Sequence, residues 1–456
     1  MPKKKTALTI EERLQQALVP AEEQPYEVPE NWVWVRLGEV NKYVSKSVNP
    51  ISEPDKIFEL YSVPSMADDY PEIIAGSDIG SSKQSVCKED VLLCKINPRI
   101  NRVWKVSQFT DNELIASSEW IIIRNNHINA NYLMYCFQSK YFREFMLSNV
   151  SGVGGSLMRA QPKYVQTYPI PLPPLSEQQR IVERIEELFA KLDEAKERLQ
   201  EVADSFAVRK AAILHKAFTG ELTKQWRREN GVSDESWEEK TLQDVCSMKI
   251  TDGTHKTPVY CDSEKGVKFL SAKDITAEKI CWDNIKYIVP ELHEELYKRL
   301  APQVDDVLLA KNGTTGVAAI VETDDIFDIY VTLAVLRPEK SIIYPLYLLK
   351  VVNSPLCKEQ FAQHLTGIGV PNLHLRDIKE VLIPLPTIPE QHEIVRLIDD
   401  LLARERSAQQ ATEQALASID LMKKSILARA FRGELGTNKA SEASALELLK
   451  QVLAEN

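Results

Sequence analysis

The chain has 456 residues, which is enough for two to four domains of about 100–200 residues each. Its 44% hydrophobic and 27% charged residues are ordinary for a globular protein, and they exclude a collagen-like, wholly disordered or disulfide-scaffold chain. With 56 basic against 66 acidic residues the formal net charge is −10, so any binding to nucleic acid requires local basic surfaces.

The sequence predicts neither an export signal nor a membrane span. The basic segment Met1–Leu8 is followed by no apolar h-region, and no apolar run approaches the roughly 18 residues of a membrane helix. The seven cysteines are scattered, and no pair has the Cys-x-x-Cys spacing of a zinc site. We therefore expect a cytoplasmic protein without a disulfide framework or a metal site.

The first part of the chain has the pattern of a mixed domain. Residues 1–24 are predicted as an N-terminal helical segment, because apolar residues recur with helical period over Ile10–Val19. Residues 25–170 follow as a first domain. Short β-type runs in it, such as Val91–Leu93 and Trp120–Ile123, alternate with loops and a few helices. This mixture is typical of an α+β fold.

A long helix is predicted within residues 171–222. From Ile181 to Phe206 apolar residues step alternately by four and three, which is the seam of a coiled coil held for more than three heptads. Ser176, followed three residues later by Gln179, predicts a capping-box start.

The second part of the chain repeats this organisation. Residues 223–383 are predicted as a second mixed domain, 384–435 as a second spacer helix and 436–456 as a C-terminal tail. Polar Glu405 and Thr412 interrupt the seam of the second helix, and such positions favour one partner and one register.

An internal repeat explains the similarity of the two parts. Residues 171–222 align with 384–435 at a constant offset of 213, without a gap and with 20 identities over 52 positions. Asp90–Leu93 is repeated as Asp306–Leu309, and Ser151–Gly154 resembles Thr366–Gly369, at offsets that drift. A fixed offset indicates a helix that accepts no insertion, whereas drifting offsets indicate loops of different length. The chain is therefore a tandem duplication of a variable domain and a long helix.

No catalytic motif is visible in the sequence. The dipeptide Gly-Lys never occurs, which excludes a Walker A loop, and the Asn-Pro-Pro-aromatic tetrapeptide of adenine methyltransferases is missing. Gly-x-Ser-x-Gly and His-Glu-x-x-His are missing as well. We predict no catalytic residue and no metal ligand in this chain.

The strongest local positive charge lies at Lys95–Lys105, with four basic residues and no acidic one. Arginine matches guanine edges or phosphate and asparagine can bridge adenine, so interleaving the two suits the reading of DNA bases. A solvated surface loop is the alternative. The candidate DNA-binding residues here are Lys95, Asn97, Arg99, Asn101, Arg102 and Lys105.

Two segments of the second domain are further candidates, because they are dense in short hydrogen-bonding side chains. Asp252-Gly253 is also a good turn, so an ordinary loop is the alternative. The candidate residues are Thr251, Asp252, Thr254, His255 and Lys256 in one segment, and Lys311, Asn312, Thr314 and Thr315 in the other.

The duplicated motifs resemble the specificity subunit of type I restriction–modification systems. Pro-Leu-Pro-x-x-x-Glu-Gln-x-x-Ile-Val stands at Pro171–Val182 and Pro384–Val395, and Ala-Phe-x-Gly-Glu-Leu at Ala217–Leu222 and Ala430–Leu435. Val28–Trp32 looks like the start of that family's first recognition domain, and Asp252–His255 is similar to a loop of some members. The resemblance spans about residues 25–435.

The resemblance implies an α+β fold class: two globular mixed α/β target-recognition domains separated by a pair of long antiparallel coiled-coil helices, in a tandem pseudo-two-fold repeat. Each domain is expected to read one half of a bipartite, gapped double-stranded DNA site, and the helices are expected to set the gap. An insertion of four residues after Ala195, matched near Ala408, is then expected to lengthen the gap. The alternative interpretation is that the chain is a non-catalytic coiled-coil tether joining two protein-binding domains.

The resemblance also implies partners. Two modification subunits are expected to clamp the helices and to supply S-adenosylmethionine and the methyl transfer to adenine. Restriction subunits are expected to supply ATP hydrolysis, Mg and cleavage, so this chain itself carries no cofactor. The motif residues that recur in both copies serve either subunit docking or helix packing: Glu177, Gln178, Phe218, Glu221, Glu390, Gln391, Phe431 and Glu434.

Overall fold

The computed structural model describes residues 8–151, 158–276, 278–365 and 372–454. It divides into two compact units, one made of Met1–Leu199 with Gln414–Asn456 and the other of Gln200–Glu413. Each unit therefore contains one variable domain together with parts of both long helices. The glycine-rich repeats at Gly152–Gly154 and Thr366–Gly369 lie outside the described residues.

The first variable domain has the predicted mixed composition. Its helices are α1 Ile10–Ala17, α2 Leu37–Val40, α3 Ala130–Gln138, α4 Lys140–Ser148 and α5 Pro162–Val165. Its strands are β1 Val33–Arg36, β2 Ser47–Val48, β3 Ile57–Tyr61, β4 Glu72–Ala75, β5 Lys83–Ser85, β6 Val91–Cys94, β7 Val103–Lys105, β8 Glu113–Ala116, β9 Trp120–Ile123, β10 Val150–Ser151, β11 Arg159–Ala160 and β12 Pro169–Leu172.

The strands of this domain form two main sheets. One has the order β2-β5-β8-β3-β4, in which β3 and β8 are parallel, and the other has the antiparallel order β7-β6-β9. Strands β1 and β12 pair antiparallel where the chain enters and leaves the domain. Every residue of β6, the central strand of the second sheet, and of its neighbour β9 is buried, which explains their unbroken apolar runs.

The second variable domain lies between the two long helices, α6 Leu175–Phe218 and α12 Ile388–Ala430. Its helices are α7 Lys224–Asn230, α8 Pro290–Arg299, α9 Pro345–Val352, α10 Pro355–Gln363 and α11 Leu375–Glu380, and helix α13 Ala445–Ala454 follows α12. The strands are β13 Glu238–Thr241, β14 Thr251–Asp252, β15 Val267–Leu270, β16 Ile275–Thr276, β17 Lys279–Ile280, β18 Lys286–Ile288, β19 Val307–Ala310, β20 Ala318–Ile320, β21 Phe327–Ile329, β22 Leu333–Leu336 and β23 Leu382–Leu385.

The sheets of the second domain match those of the first in part. Strands β14-β22-β19-β20 form an antiparallel sheet around the buried β19 and β22, as β7-β6-β9 does in the first domain. Strand β15 pairs parallel with β21, as β3 does with β8. The first domain has the wider second sheet, with five strands against three.

The two long helices run antiparallel in each unit. In the first unit Asp193 pairs with Lys423, and Ile185 shares a core with Leu427 further along α12. In the second unit Arg209 pairs with Glu405, and Phe218 shares a core with Ile394 earlier in α12. The predicted fold class, two mixed domains and two long helices in tandem repeat, is confirmed.

Details of the helices differ from the sequence prediction. Helix α6 begins at Leu175, so Ser176 lies inside the first turn and the predicted capping box is wrong. The carbonyl oxygen of Pro174 accepts from the backbone amides of Glu177 and Gln178 instead. The seam residue Glu405 bonds across the helix pair to Arg209 at 2.9 Å, which fits its predicted effect on register.

The helices near the two chain ends pack against each other within the first unit. Helices α1 and α13 are in contact, and Nη1 of Arg13 donates to the backbone oxygen of Leu453 at 2.9 Å. None of the seven cysteines forms a disulfide bond, and no helix in the described ranges is apolar over a length that could cross a membrane.

Candidate DNA-reading site

An aspartate–arginine ion pair occurs in both domains, at the start of the strand that leads into a candidate loop. Asp90 is 1% exposed and accepts from Nε and Nη2 of Arg124 at 2.7 and 2.6 Å, and Asp306 does the same with Arg337 at 2.8 Å for both atoms. The hydrogen bonds that the guanidinium groups donate to the aspartates hold the pKa of both arginines above its ordinary value. The repeated Asp-Val-Leu-Leu motif is therefore structural.

The basic loop of the first domain is only partly free to bind a ligand. Arg99 is exposed, whereas Nζ of Lys95 donates to the backbone oxygen of Ser118 and Nδ2 of Asn101 to that of Gln138. Lys105 lies 3.5 Å from Glu89. Nη2 of Arg102 donates to the backbone oxygen of Ile96.

Asn97 and Arg102 border an open cleft of about 570 Å³ in this domain. In the described part of the chain, neither Oδ1 of Asn97 nor Nε of Arg102 has a hydrogen-bond partner, although both atoms are buried. The cleft is also lined by Lys83, Ser117 and Glu119. Polar side chains that carry donors and acceptors thus border an open cleft, as the reading of a base edge requires.

In the second domain the two candidate segments meet through a buried ion pair. Nζ of Lys311 lies 3.1 Å from Oδ2 of Asp252, and the two side chains are 9% and 6% exposed. Gly253 is needed beside this pair, because a Cβ atom there would lie 2.0 Å from the backbone oxygen of Ile329. The pair therefore fixes two loops that are about 60 residues apart in sequence.

The other predicted residues of these two segments differ from one another in exposure and in their contacts. His255 is exposed and contacts Asp252 at 3.2 Å, and Lys256 pairs with Glu295 in solvent. Thr254 is buried and its hydroxyl accepts from the amide of Lys256. Thr251 lies in β14 and is half-buried, as are Asn312 and Thr315, whereas Thr314 is exposed.

A second open cleft, of about 420 Å³, adjoins Asn312 and Thr314. Its other walls carry Lys273, Lys286 and Tyr260, and the ammonium of Lys286 lies 4.1 Å from the centre of the Tyr260 ring. Sequence reasoning missed these three residues, because they come from separate strands and loops and form no local cluster. Their only sequence signal is an isolated basic or aromatic residue.

The two clefts occupy the same place in their own domains. The amides of Lys95 and Lys311 donate to the backbone oxygens of Glu119 and Thr332, one residue before β9 and β22 respectively. Two residues beyond each lysine the chain turns with a positive φ, 45° at Asn97 and 74° at Gly313. The positions match, but the side chains that line them differ.

The repeated Glu-Gln motif packs each long helix onto its domain. Gln178 is fully buried, donates to the backbone oxygen of Pro173 and accepts from the amide of Asn129. Gln391 likewise donates to Pro386 and accepts from the amide of Tyr344. These glutamines bond to the backbone before the helix and to the start of a domain helix.

Each repeated glutamate forms hydrogen bonds with the segment that follows the other long helix. Glu177 is fully buried and accepts from Nε1 of Trp32 at 2.7 Å and from Nδ2 of Asn438 at 2.9 Å. Glu390 is fully buried and accepts from Nη1 of Arg227 and the hydroxyl of Thr223, both at 2.6 Å. Each unit therefore ties a helix start to the segment after the partner helix.

Burial opposes the charge of Arg227, but its hydrogen bonds to Glu390 and Asp234 outweigh that effect, so the pKa of the guanidinium lies above its ordinary value.

The repeated aromatic residues are also internal. Phe218 stacks edge-on against Tyr347 at 5.6 Å and Phe431 against Tyr132 at 5.3 Å. Glu221 and Glu434 are exposed. Six of the eight recurring residues thus pack the helices.

Comparison with known proteins identifies the repeat. A family model described as the type I restriction modification DNA specificity domain matches residues 29–204 and 234–416. The specificity subunit of the type I restriction enzyme EcoBI of Escherichia coli is 30% identical over 304 residues, or 63% of this chain and 64% of that protein. The EcoKI specificity subunit of Escherichia coli strain K12 is 26% identical over 72% of each chain.

A solved structure shares the fold. The HsdS subunit from Thermoanaerobacter tengcongensis superposes with a TM-score of 0.65 at 22% identity, covering 90% of this chain and 99% of that one. In the described ranges, no group of three or more histidine, cysteine or acidic side chains is arranged to hold a metal ion.

Proposed function

Because this chain belongs to the type I restriction modification DNA specificity family, we propose that it selects the DNA site on which a type I restriction–modification complex acts. The family predicted from the duplicated motifs is confirmed. Each variable domain, with limits at 25–170 and 223–383, reads one half of a gapped two-part site in double-stranded DNA.

The observation that carries this proposal is the pair of matching clefts. Each lies beside a loop that the sequence predicted to bind DNA, and each is open and lined by donors and acceptors from several elements. Their framework is the same, whereas their side chains differ. This is the arrangement expected of two domains that read two different half-sites.

The long helices are proposed to dock two modification subunits. Apolar side chains stand in solvent along them: Val208 is 70% exposed in the second unit, and Leu421 and Met422 are 64% and 49% exposed in the first. The neighbouring Leu421 and Met422 form a small exposed apolar patch, as a surface that another protein covers would have. Glu221, shortly after α6, and Glu434, shortly after α12, are exposed in their own units and remain candidate contacts.

We assign no chemical step to this chain, which acts by positioning its partners in the cytoplasm. S-adenosylmethionine, ATP and Mg belong to the modification and restriction subunits of the proposed complex. The net charge of −10 agrees with this division, because those subunits share the contacts to DNA phosphates.

Substitutions in one cleft test the proposal. In a complex with modification subunits, Asn312→Ala with Thr314→Ala is expected to relax base preference at one half-site by about 10- to 100-fold, because a lost base contact costs roughly 1–3 kcal/mol. The measurement is methylation of a duplex library in which each half-site is randomised in turn.

The matched control is Asn97→Ala with Arg99→Ala in the first domain. This double variant is expected to relax base preference at the half-site that the first domain reads, and to leave the half-site of the second domain unchanged. Relaxation of both halves by either variant would contradict the assignment of one half to each domain. Absence of any sequence-specific DNA binding would favour the tether alternative.

The spacer role gives a separate prediction. Asp193 pairs with Lys423, so the position opposite Ala195 lies near Leu421, and the matched insertion is placed there instead of near Ala408. Inserting four residues at both Ala195 and Leu421 lengthens each helix by about 6 Å, or between one and two base pairs. Methylation mapping is expected to find the same half-sites with a longer gap. An altered half-site with the original gap would refute the spacer role.

A further inference from the structure

A groove occurs at the same place in both domains, between a two-stranded sheet and a short helix. In the first domain Trp34 pairs with Pro171 in the β1–β12 sheet, and in the second Glu239 pairs with Pro384 in the β13–β23 sheet. The hydroxyls of Tyr132 and Tyr347 donate to the backbone oxygens of those two prolines, both at 2.8 Å. Helices α4 and α10 form the other wall.

In the first domain the chain itself fills this groove. The ring of Tyr26 stacks edge-on against Trp34 at 4.9 Å and Tyr141 at 5.3 Å. The guanidinium of Arg432 lies 5.2 Å from the centre of the same ring. A cleft of about 280 Å³ remains beside the segment Pro25–Tyr26. A segment with an aromatic side chain, covered by a cation, therefore fits this position.

In the second domain the groove is open, with a volume of about 460 Å³. The segment that could fill it, before Trp237, is held elsewhere, because Asp234 bonds to Arg227 at 2.9 Å. The floor is apolar and includes Trp237 and Phe218, and its rim includes Leu356 and Leu382, which are 39% and 40% exposed. The groove thus exposes apolar surface that the first domain covers.

The open groove is also negatively charged. Glu238, Glu239 and Glu359 line it, together with no basic side chain. Glu238 pairs with Lys240, but in the described ranges Glu239 and Glu359 have no ion-pair partner. The side chain of Gln360 bonds to both the amide and the carbonyl of Leu382, so an added β-strand cannot pair with that residue.

We propose that this groove binds a segment of a partner polypeptide that combines lysine or arginine with an apolar or aromatic side chain. The carboxylates attract the cations, and the apolar floor takes the ring or the aliphatic chain. Because the edge at Leu382 is already bonded, recognition is by side chains. The inference rests on the proposed function only in that the partner is sought in the assembled modification complex.

Two measurements on the complete chain, assembled with its modification subunits, test the proposal. A photo-crosslinking residue at position 356 is expected to join a partner peptide that contains lysine or arginine, whereas the same residue at the exposed Ile326 is not. Glu239→Lys with Glu359→Lys is expected to weaken assembly by about tenfold, most at low salt. The matched control, Glu264→Lys with Glu322→Lys, changes two exposed glutamates outside the groove.

Exchanging the crosslinked lysine or arginine for glutamate is expected to restore assembly of the double variant. A crosslink to a segment without a basic residue, or no partner crosslink at all, would overturn the proposal, as would equal assembly of the double variant and the control. Wild-type complex that methylates no DNA would instead refute the proposed function, so the two failures are distinguishable.

Discussion

Replacing Glu390 by alanine is expected to destabilise the second unit by about 3 kcal/mol or more, because it leaves a buried charge without its main partner. The side chain of Arg227 is 7% exposed. Its hydrogen bond to the fully buried Glu390 is the shortest contact that its guanidinium makes. Asp234 remains as a second partner but is itself largely in solvent. The midpoint of denaturant unfolding, followed by the fluorescence of nearby tryptophans, measures the loss.

The control for this prediction is Arg198→Ala, which breaks an exposed pair with Glu194 on helix α6. Exposed pairs of this spacing contribute about 0.3–0.5 kcal/mol, so its unfolding midpoint is expected to move little. Glu390→Gln keeps an acceptor for Thr223 and is expected to lie between the two. If Glu390→Ala were no more harmful than Arg198→Ala, the clasp between helix start and chain segment would have no energetic role.

Replacing Asp252 by alanine is expected to abolish reading of one half-site and to destabilise the second domain by about 3 kcal/mol. The ammonium of Lys311 is then left buried without a carboxylate, and the two loops lose the contact that joins them. The measurement is the affinity of the assembled complex for its own duplex, together with unfolding of the chain. We expect at least about a tenfold loss of affinity.

A second substitution separates stability from recognition. Asp252→Ala combined with Lys311→Met removes both charges, so stability is expected to return toward the original value while DNA affinity stays low. Glu295→Ala, which breaks the exposed pair with Lys256, is the control in the same domain. Full DNA affinity in the double variant would show that the two loops need neither the ion pair nor Lys311 to read DNA.

The fold could be predicted from the sequence to the extent that it depends on local pattern. The constant offset between 171–222 and 384–435 identified the two helices, because a continuous helix cannot absorb an insertion. The capping box at Ser176 was wrong, since the preceding proline-rich segment supplies the caps through its backbone. The position opposite Ala195 could not be predicted either, because the register of two helices depends on packing along both.

The site could be predicted only where its residues are neighbours in sequence. The charge pattern of Lys95–Lys105 and the turn at Lys311 led to both clefts. Tyr260, Lys273 and Lys286 could not be found, because they meet only when separate strands pack. The sequence also could not decide whether Glu177 and Glu390 face a partner or the interior. In the structure both glutamates are buried and face the interior. The sequence could not show this, because their burial depends on contacts with residues far away in the chain.

We propose that this chain alone determines which DNA site is modified. The most direct test compares maps of genomic adenine methylation in cells that carry this gene with its neighbouring modification gene and in cells that lack only this gene. We predict that methylation disappears at one gapped two-part motif. An unchanged map, in cells shown to make both proteins, would contradict the claim.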